Sequence, residues 1–144
     1  MDFNSPKISR IIDDWIEEDI GTGDLTFSAI TQNKGKASWI AKEEGIFCGI
    51  EIIKRIFKKI DEKIECNFFI NDGEEFLKGQ KLLELSGPSR SLLSSERISL
   101  NICMHLSGIS THTKNIVDVL KGTNIHLADT RKTTPGLRIF EKYA

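Results

Sequence analysis

A short stretch near the end of the sequence, residues 129–138, carries the residue types best suited to bind an anion. It reads DTRKTTPGLR, so that Arg131 and Lys132 are adjacent and Thr130 supplies a neighbouring hydroxyl. Arginine offers a planar fork that pairs with a carboxylate through two hydrogen bonds, and lysine offers a compact, mobile charge. The pattern favours a carboxylate or phosphate site, with a solvated basic turn as the alternative. Asp129 would then bind ligand, orient Arg131 or cap the loop.

Arg97 is a second candidate for anion binding. It stands beside Glu96 near the predicted start of a long helix, which Ser94 or Ser95 could cap. A cation in the first turn faces the positive end of the helix dipole, which costs about 0.3–1 kcal/mol. A functional role or a surface ion pair would each account for Arg97, and both readings stay open.

The histidines and cysteines predict neither a metal centre nor a nucleophile. No HxH, HExxH or CxxC pattern occurs, and GxGxxG, P-loop and GxSxG motifs are also missing from the sequence. We expect His105, on an apolar helix, to be a core or interface residue. The three cysteines are expected to be reduced and mostly buried as small apolar side chains: Cys48, Cys66 and Cys103.

The first 90 residues alternate between predicted helices and strands. Ile8, Ile12 and Trp15 recur at helical spacing and predict an amphipathic first helix, and EIIKRIFKKI predicts a second. Apolar runs between turn residues predict strands at 36–42 and 45–49, in IECNFFI and in KLLELSG, with NDGEEFLKGQ as a loop. This order is typical of an α+β fold.

The last 50 residues have a different pattern. A long helix from Ser94 or Ser95 to Lys121 carries apolar residues on more than one face, which indicates burial. Within it, Ser107-Gly108 marks either close packing or a break, and Gly122 ends it. NIHLADT then predicts a strand, and GLRIFEKYA a new helix. Because ligand sites of α/β proteins collect at the carboxyl ends of strands, DTRKTT would lie where a site is expected.

Composition narrows the class of protein. The chain has 144 residues, enough for one domain, and 20 basic residues against 21 acidic ones give no basis for binding nucleic acid through net charge. No apolar run approaches the roughly 20 residues that span a bilayer, and the N-terminus lacks the apolar segment of a signal peptide. The expectation is a cytoplasmic protein that binds neither nucleic acid nor membrane.

Three stretches in the same order resemble one family. They are EDIGTGDLT at 18–26, SERISLNICMHLSGISTHT at 95–113 and DTRKTTPGLRIFEKYA at 129–144. Together they resemble the nicotinate-nucleotide pyrophosphorylases, or quinolinate phosphoribosyltransferases, of NAD biosynthesis.

The resemblance implies a fold. Residues 1–112 would form an α+β N-terminal sandwich domain, barrel-sandwich-like and with flanking helices, and residues 113–144 would begin an open α/β barrel. Members of the family continue well beyond EKYA, into acidic magnesium ligands and a glycine-rich phosphate loop. The chain is therefore expected to be an N-terminal portion whose activity alone is in doubt.

The resemblance also implies a reaction. Family members transfer a phosphoribosyl group from phosphoribosyl pyrophosphate to quinolinate with decarboxylation, giving nicotinate mononucleotide, pyrophosphate and CO2, and use Mg2+. By position, Thr130, Arg131 and Lys132 would bind substrate. Arg97 would reach the neighbouring subunit's site in a homodimer or higher oligomer. No catalytic residue is assigned, and the Mg2+ ligands are expected in the missing C-terminal part.

Two other classes of protein remain as alternatives. One is a paralogous pyrophosphorylase-like protein associated with molybdenum transport, whose strand-end loop is expected to differ. The other is a non-catalytic partner or assembly module, either donating Arg97 to a complete enzyme or acting as a barrel-sandwich carrier. The segment NDGEEFLKGQKLLELSG has the turn pattern of lipoyl and biotinyl carriers, but no lysine is evident at a hairpin tip.

Overall fold

The computed structural model describes residues 3–21 and 33–144, and its first element is the predicted amphipathic helix. Helix α1, Pro6–Ile20, starts after Ser5, whose hydroxyl accepts a hydrogen bond from the Ile8 N–H at 3.5 Å. Ile8 and Ile12 are fully buried, which confirms the helical periodicity. Of the stretch at 18–26, residues 22–26 lie outside the described residues.

Among the described residues, five strands form two antiparallel sheets, and strands that are consecutive in sequence are not paired with each other. The larger sheet has the order β1-β5-β3, and the smaller one pairs β2 with β4. The four strands predicted before residue 90 are confirmed with shifted ends, whereas β4 falls inside the predicted loop at 71–80. The bounds are β1 Lys34–Ile40, β2 Gly45–Ile46, β3 Glu65–Phe68, β4 Glu75–Phe76 and β5 Lys81–Pro88.

The second predicted helix, α2, spans Ile50–Ile60 and joins both parts of the core. Ile53 and Phe57 pack in the cluster that lies against the larger sheet, while Ile52 and Ile56 pack in a cluster with α1. Because these four side chains lie on two adjoining faces, one helix connects the sheet to the surrounding helices.

The long helix, α3, spans Ser89–Leu120 and begins earlier than predicted. The expectation that Ser94 or Ser95 caps it is wrong, since the Ser95 hydroxyl donates to the Ser91 carbonyl at 2.8 Å inside the helix. A serine can satisfy its hydroxyl in this way four residues back, so its presence alone does not mark a helix start.

The helix α3 continues through the Ser107-Gly108 pair without a break. The Ser107 hydroxyl accepts the buried Cys48 N–H at 3.1 Å, so the pair marks close packing against the segment before α2. The helix also passes through residues 112 and 113, where the two domains were predicted to meet. Gly122, with φ of 80°, follows its end as predicted.

The predicted strand NIHLADT is wrong in this structure. Residues 121–130 are exposed and have no regular hydrogen bonding, and Ile125 keeps 63% of its surface exposed. A strand needs a partner for its backbone groups, and no described residue pairs with this segment. The predicted last helix is confirmed but short: α4 spans Arg138–Glu141.

Candidate anion-binding site

The three adjacent candidates, Thr130, Arg131 and Lys132, lie on an exposed loop between α3 and α4. Every residue from 121 to 132 is exposed to solvent. The candidates therefore share a surface because they are adjacent in sequence, and not because a sheet edge gathers them.

Local hydrogen bonds give this loop part of its shape. The Lys132 N–H donates to the Thr130 hydroxyl at 3.2 Å, and the Thr133 N–H donates to the Arg131 carbonyl at 3.0 Å. Threonine hydroxyls commonly bond backbone groups nearby in this manner. The two contacts keep the backbone on either side of Arg131 tightly folded.

A turn follows immediately and redirects the chain into α4. The Leu137 N–H donates to the Thr134 carbonyl at 3.0 Å, with Pro135 and Gly136 between them. Gly136 has φ of 83°, a conformation that a glycine adopts at little cost and that the third position of such a turn requires. The Pro-Gly pair of the sequence thus forms the turn that leads the chain from the loop into α4.

Two cations contact the loop: Arg138 of α4, and Lys142, the residue that follows α4. Arg138 donates through Nε to the Thr133 hydroxyl at 3.0 Å and through Nη2 to the Arg131 carbonyl at 3.3 Å. Lys142 pairs with the Asp129 carboxylate. Asp129 therefore contacts a lysine beyond the loop, and not Arg131, within the described residues.

Glu141 is the third residue that contacts the loop, through its carboxylate. One oxygen accepts the Thr134 N–H at 3.1 Å, and the other lies 2.9 Å from His105 Nε2 on α3. Its side chain is only 11% exposed. Hydrogen bonds from Thr134 and His105 lower the pKa of the Glu141 carboxyl, so it is ionised at neutral pH.

The segment that holds the loop is itself fixed to the core. Phe140 is 1% exposed and packs with Trp15 of α1, their ring centroids 5.1 Å apart. The Ser110 hydroxyl of α3 donates to the Ala144 carbonyl at 3.0 Å, and the Tyr143 hydroxyl donates to Asp72 at 2.7 Å. Asp72 also accepts the N–H groups at the start of α2. The loop is therefore tied, through α4, to the helices of the core.

The charges of this region divide into paired and unpaired cations. Arg138 and Lys142 have acceptors on the loop, as described above. Within the described ranges 3–21 and 33–144, the side chains of Arg131 and Lys132 have no hydrogen-bond or ion-pair partner. Two exposed cations without internal partners are free to bind an external carboxylate or phosphate.

Arg97 lies elsewhere on the surface, and its predicted place in the first turn of a helix is wrong. It is in the third turn of α3, since the helix starts at Ser89, so the helix dipole does not act on it as predicted. Arg97 Nε donates to the Asp19 carboxylate of α1 at 3.3 Å, and its side chain remains 54% exposed. None of the described contacts that hold the loop comes from Arg97.

A groove of about 820 Å³ runs between α3 and the segment that joins β1 to β2. Apolar side chains such as Trp39, Phe76 and Met104 line it, with His112 at its rim. None of Arg97, Thr130, Arg131 and Lys132 lines this groove. The basic loop is thus an open surface and not the wall of a cavity.

The described residues supply neither a metal cluster nor a reactive thiol. Among them no three His, Cys, Asp or Glu side chains are grouped so that they could hold a metal ion. The cysteines are free, and Cys48 and Cys103 are buried as predicted while Cys66 is half-buried. Burial raises the pKa of Cys48 and Cys66 to about 11 and that of Cys103 to about 12, so the thiols stay protonated at neutral pH.

None of the helices in the described part of the chain is long and apolar enough to cross a membrane.

Sequence reasoning missed the residues that shape the loop. Glu141 and Arg138 were read only as part of a new helix, and His105 was expected in a core or an interface. His105 is exposed and bonds Glu141, so the core reading is wrong, while the interface reading stays a prediction. A signal was available for Arg138 and Glu141, since they are three residues apart and share one helix face directly after the turn. No local sequence pattern linked His105 to Glu141, which lies 36 positions later.

Fold and loop together define an α+β protein that presents a fixed basic loop at its surface. Comparison with known families then identifies it more closely: the chain belongs to the quinolinate phosphoribosyl transferase family. The family's N-terminal domain matches residues 24–107, and its C-terminal domain matches residues 109–144. The resemblance read from the sequence is thereby confirmed.

Individual relatives agree with the family assignment. The probable nicotinate-nucleotide pyrophosphorylase [carboxylating] of Bacillus subtilis is 44% identical over 99% of this chain and 50% of its own length. The nicotinate-nucleotide pyrophosphorylase of Francisella tularensis superposes with a TM-score of 0.91 at 32% identity, covering 97% of this chain and 51% of that one. For NadC of Streptococcus pyogenes the TM-score is 0.90 at 37% identity, with 95% and 50% covered. The chain spans about half the length of the curated relatives that it matches.

Proposed function

We propose that this chain serves phosphoribosyl transfer from phosphoribosyl pyrophosphate to quinolinate, with decarboxylation to nicotinate mononucleotide, pyrophosphate and CO2. The observation that carries the proposal is the pair Arg131 and Lys132, exposed and without internal partners among the described residues. Family membership supplies the substrate, since relatives are named as carboxylating nicotinate-nucleotide pyrophosphorylases. Those names favour this reaction over a role in molybdenum transport or as a carrier.

The chemistry of the substrates fits the loop. Quinolinate carries two adjacent carboxylates, and phosphoribosyl pyrophosphate carries several phosphate charges. Arg131 would pair with one carboxylate through two hydrogen bonds, and Lys132 would neutralise the second carboxylate or a phosphate oxygen. Thr130, in the same turn, would contribute its hydroxyl. In this proposal the chain's residues act by positioning and by neutralising charge.

Calorimetric titration of the chain with quinolinate tests the proposal. Charge-assisted hydrogen bonds contribute about 1.5–3 kcal/mol each, so Arg131→Ala should weaken binding about 10- to 100-fold. Nicotinate, which has a single carboxylate, should bind wild type more weakly than quinolinate.

Lys121→Ala is the matched control, because Lys121 is also an exposed cation but pairs with Asp118 at the end of α3. It should bind quinolinate as wild type does. Equal affinity of the Arg131→Ala variant and wild type would contradict the proposal, as would equal affinity for the two pyridine acids.

Arg97 is proposed to enter the neighbouring subunit's site in a homodimer or higher oligomer. The support is the surface around it. Leu93 and Met104 lie four residues before and seven after Arg97 on the same helix face, and they are 43% and 61% exposed. Apolar side chains beside an exposed cation are typical of an interface. A monomer in sedimentation equilibrium at micromolar concentration would count against this assembly.

The finer domain description is also a proposal. Residues 1–112 would form the barrel-sandwich-like domain, and residues 113–144 would begin an open α/β barrel. Exposed Ile125 and Leu127 support the second part, since a neighbouring strand would cover them. Hydrogen exchange across residues 124–130 in the assembled enzyme would test it, because amides that stay unprotected there exclude a strand.

Mg2+ and a cytoplasmic location are proposed from the family alone. The described residues offer no group that fits a metal ion, so no residue of this chain is assigned as a ligand and no step is routed through the ion. Pyrophosphate release that survives a chelator would contradict the metal requirement. Recovery of the protein outside the cytoplasmic fraction would contradict the location.

A further inference from the structure

The carboxylate of Glu141 accepts the N–H of Thr134, two residues after the second of the cations that the proposed function uses for anion binding, and this position needs a reason. A negative charge close to an anion site weakens binding by simple repulsion. Glu141 nevertheless lies only 11% exposed and bonded on both oxygens, one to the loop and one to α3. Its contribution to anion binding must then come from the position that it gives the loop, and not from a direct interaction between its charge and the ligand.

The contacts of Glu141 join three separate parts of the chain. Thr134 ends the basic segment, His105 lies in the middle of α3, and Glu141 itself is on α4. Arg138 supplies the remaining link from α4, through the Thr133 hydroxyl and the Arg131 carbonyl. No residue from 121 to 132 is buried, so these polar contacts, together with the Lys142–Asp129 ion pair, determine where Arg131 and Lys132 sit.

We infer that Glu141, oriented by His105, is a positioning residue that fixes the Arg131–Lys132 loop in its anion-binding shape. The inference rests on the proposed function for the identity of the anion. Ordering a loop before the ligand arrives removes part of the entropic cost of binding, which is how such a residue raises affinity without touching ligand. His105 completes the arrangement by holding the second oxygen of the carboxylate.

The direction in which Glu141→Ala changes the affinity for quinolinate distinguishes a positioning role from a purely electrostatic one. If Glu141 acted only as a nearby negative charge, Glu141→Ala would tighten quinolinate binding. If it positions the loop, Glu141→Ala should weaken binding about ten-fold, equivalent to about 1.4 kcal/mol. Glutamine keeps the shape and one acceptor oxygen for Thr134, so Glu141→Gln should stay within about three-fold of wild type.

The experiment measures quinolinate affinity of the full chain by calorimetry, together with amide hydrogen exchange at Thr134. The Thr134 amide should exchange about ten times faster in Glu141→Ala, because its acceptor is gone. Glu84→Ala is the matched control, since Glu84 pairs with Lys81 inside β5 and has no contact with the loop. Both readouts should be unchanged in that control.

The outcomes decide the inference separately from the proposed function. Tighter or unchanged binding in Glu141→Ala overturns it, and so does a Glu141→Gln variant that binds as weakly as Glu141→Ala. If wild type does not bind quinolinate, the proposed function is wrong. The positioning role is then tested only by amide hydrogen exchange at Thr134. Unaltered exchange there in Glu141→Ala overturns the inference in that case.

Discussion

The body of the protein, residues 3–21 and 33–120, and the loop at 121–137 are stabilised in different ways. In the body, side chains such as Phe47, Phe57 and Leu83 have no exposed surface. In the loop, residues 121–132 are all exposed, and the chain is held by hydrogen bonds and an ion pair from α4. Burial of apolar surface fixes the first region, whereas a few polar contacts fix the second. Stability and ligand binding should therefore respond to substitutions in different places.

The largest effect is expected where a core aromatic is removed. Phe57→Ala leaves a cavity between α2 and the larger sheet, where the ring lies 6.3 Å from that of Trp39, and should cost about 3–5 kcal/mol of unfolding free energy. Ile125→Ala, in the exposed loop, should change stability by no more than about 0.5 kcal/mol. Urea unfolding followed by circular dichroism measures both. Similar losses of unfolding free energy in the two variants would contradict the claim that the two regions are stabilised differently.

A smaller effect is expected from hydroxyl groups that accept backbone N–H bonds in each region. Ser107→Ala leaves the buried Cys48 N–H without its acceptor and should cost about 1–3 kcal/mol. Thr130→Val removes the acceptor of the exposed Lys132 N–H, which water can replace, so stability should change by less than about 0.5 kcal/mol. The same denaturation assay applies, with Ser38→Ala on exposed β1 as control. A Thr130→Val cost equal to that of Ser107→Ala would show that the loop contributes to the folded core.

The body was largely predictable because its signals are local. The periodicity of Ile8, Ile12 and Trp15 gave α1, and that of EIIKRIFKKI gave α2, since each helix buries a face that recurs every three to four residues. The start of α3 was not predictable from Ser94 and Ser95. Serine bonds equally well as a cap or to a carbonyl within a helix, and the choice depends on where β5 ends.

The loop was predictable in composition but not in structure. The residues DTRKTT marked an anion site, which remains a prediction, but NIHLADT needs a partner strand that the sequence of this segment cannot supply. The links that shape the loop are also non-local, because His105 meets Glu141 across 36 positions. Strand β4 has only two residues, which are too few to show an alternating pattern in the sequence. Only its pairing with β2 identifies it as a strand.

The smallest expected effect concerns the acid sensitivity of the contact between the two regions. The pKa of Glu141 is lowered by its bonds to Thr134 and His105 from an ordinary value of 4.5. A lowered pKa means that the ionised form stabilises the fold above pH 4.5, and that this contribution is lost as pH falls through the lower, folded value. Glu141→Gln should therefore be less stable than wild type at neutral pH, by about 1 kcal/mol or less as for surface ion pairs, and the difference should be smaller near pH 3.

Urea unfolding at the two pH values measures this convergence, and Asp61→Asn provides its counterpart in the body. The pKa of Asp61 is also lowered, chiefly by the hydrogen bond from the Ser91 hydroxyl, so its variant should converge with wild type in acid in the same way. Of these two variants, only Glu141→Gln should also alter the pH dependence of amide exchange at Thr134, because Glu141 bonds the loop and no described contact joins Asp61 to it. A constant stability gap between Glu141→Gln and wild type from neutral pH to pH 3 would mean that the carboxylate's charge does not contribute to holding the loop. The contact between Glu141 and the loop would then act by shape alone.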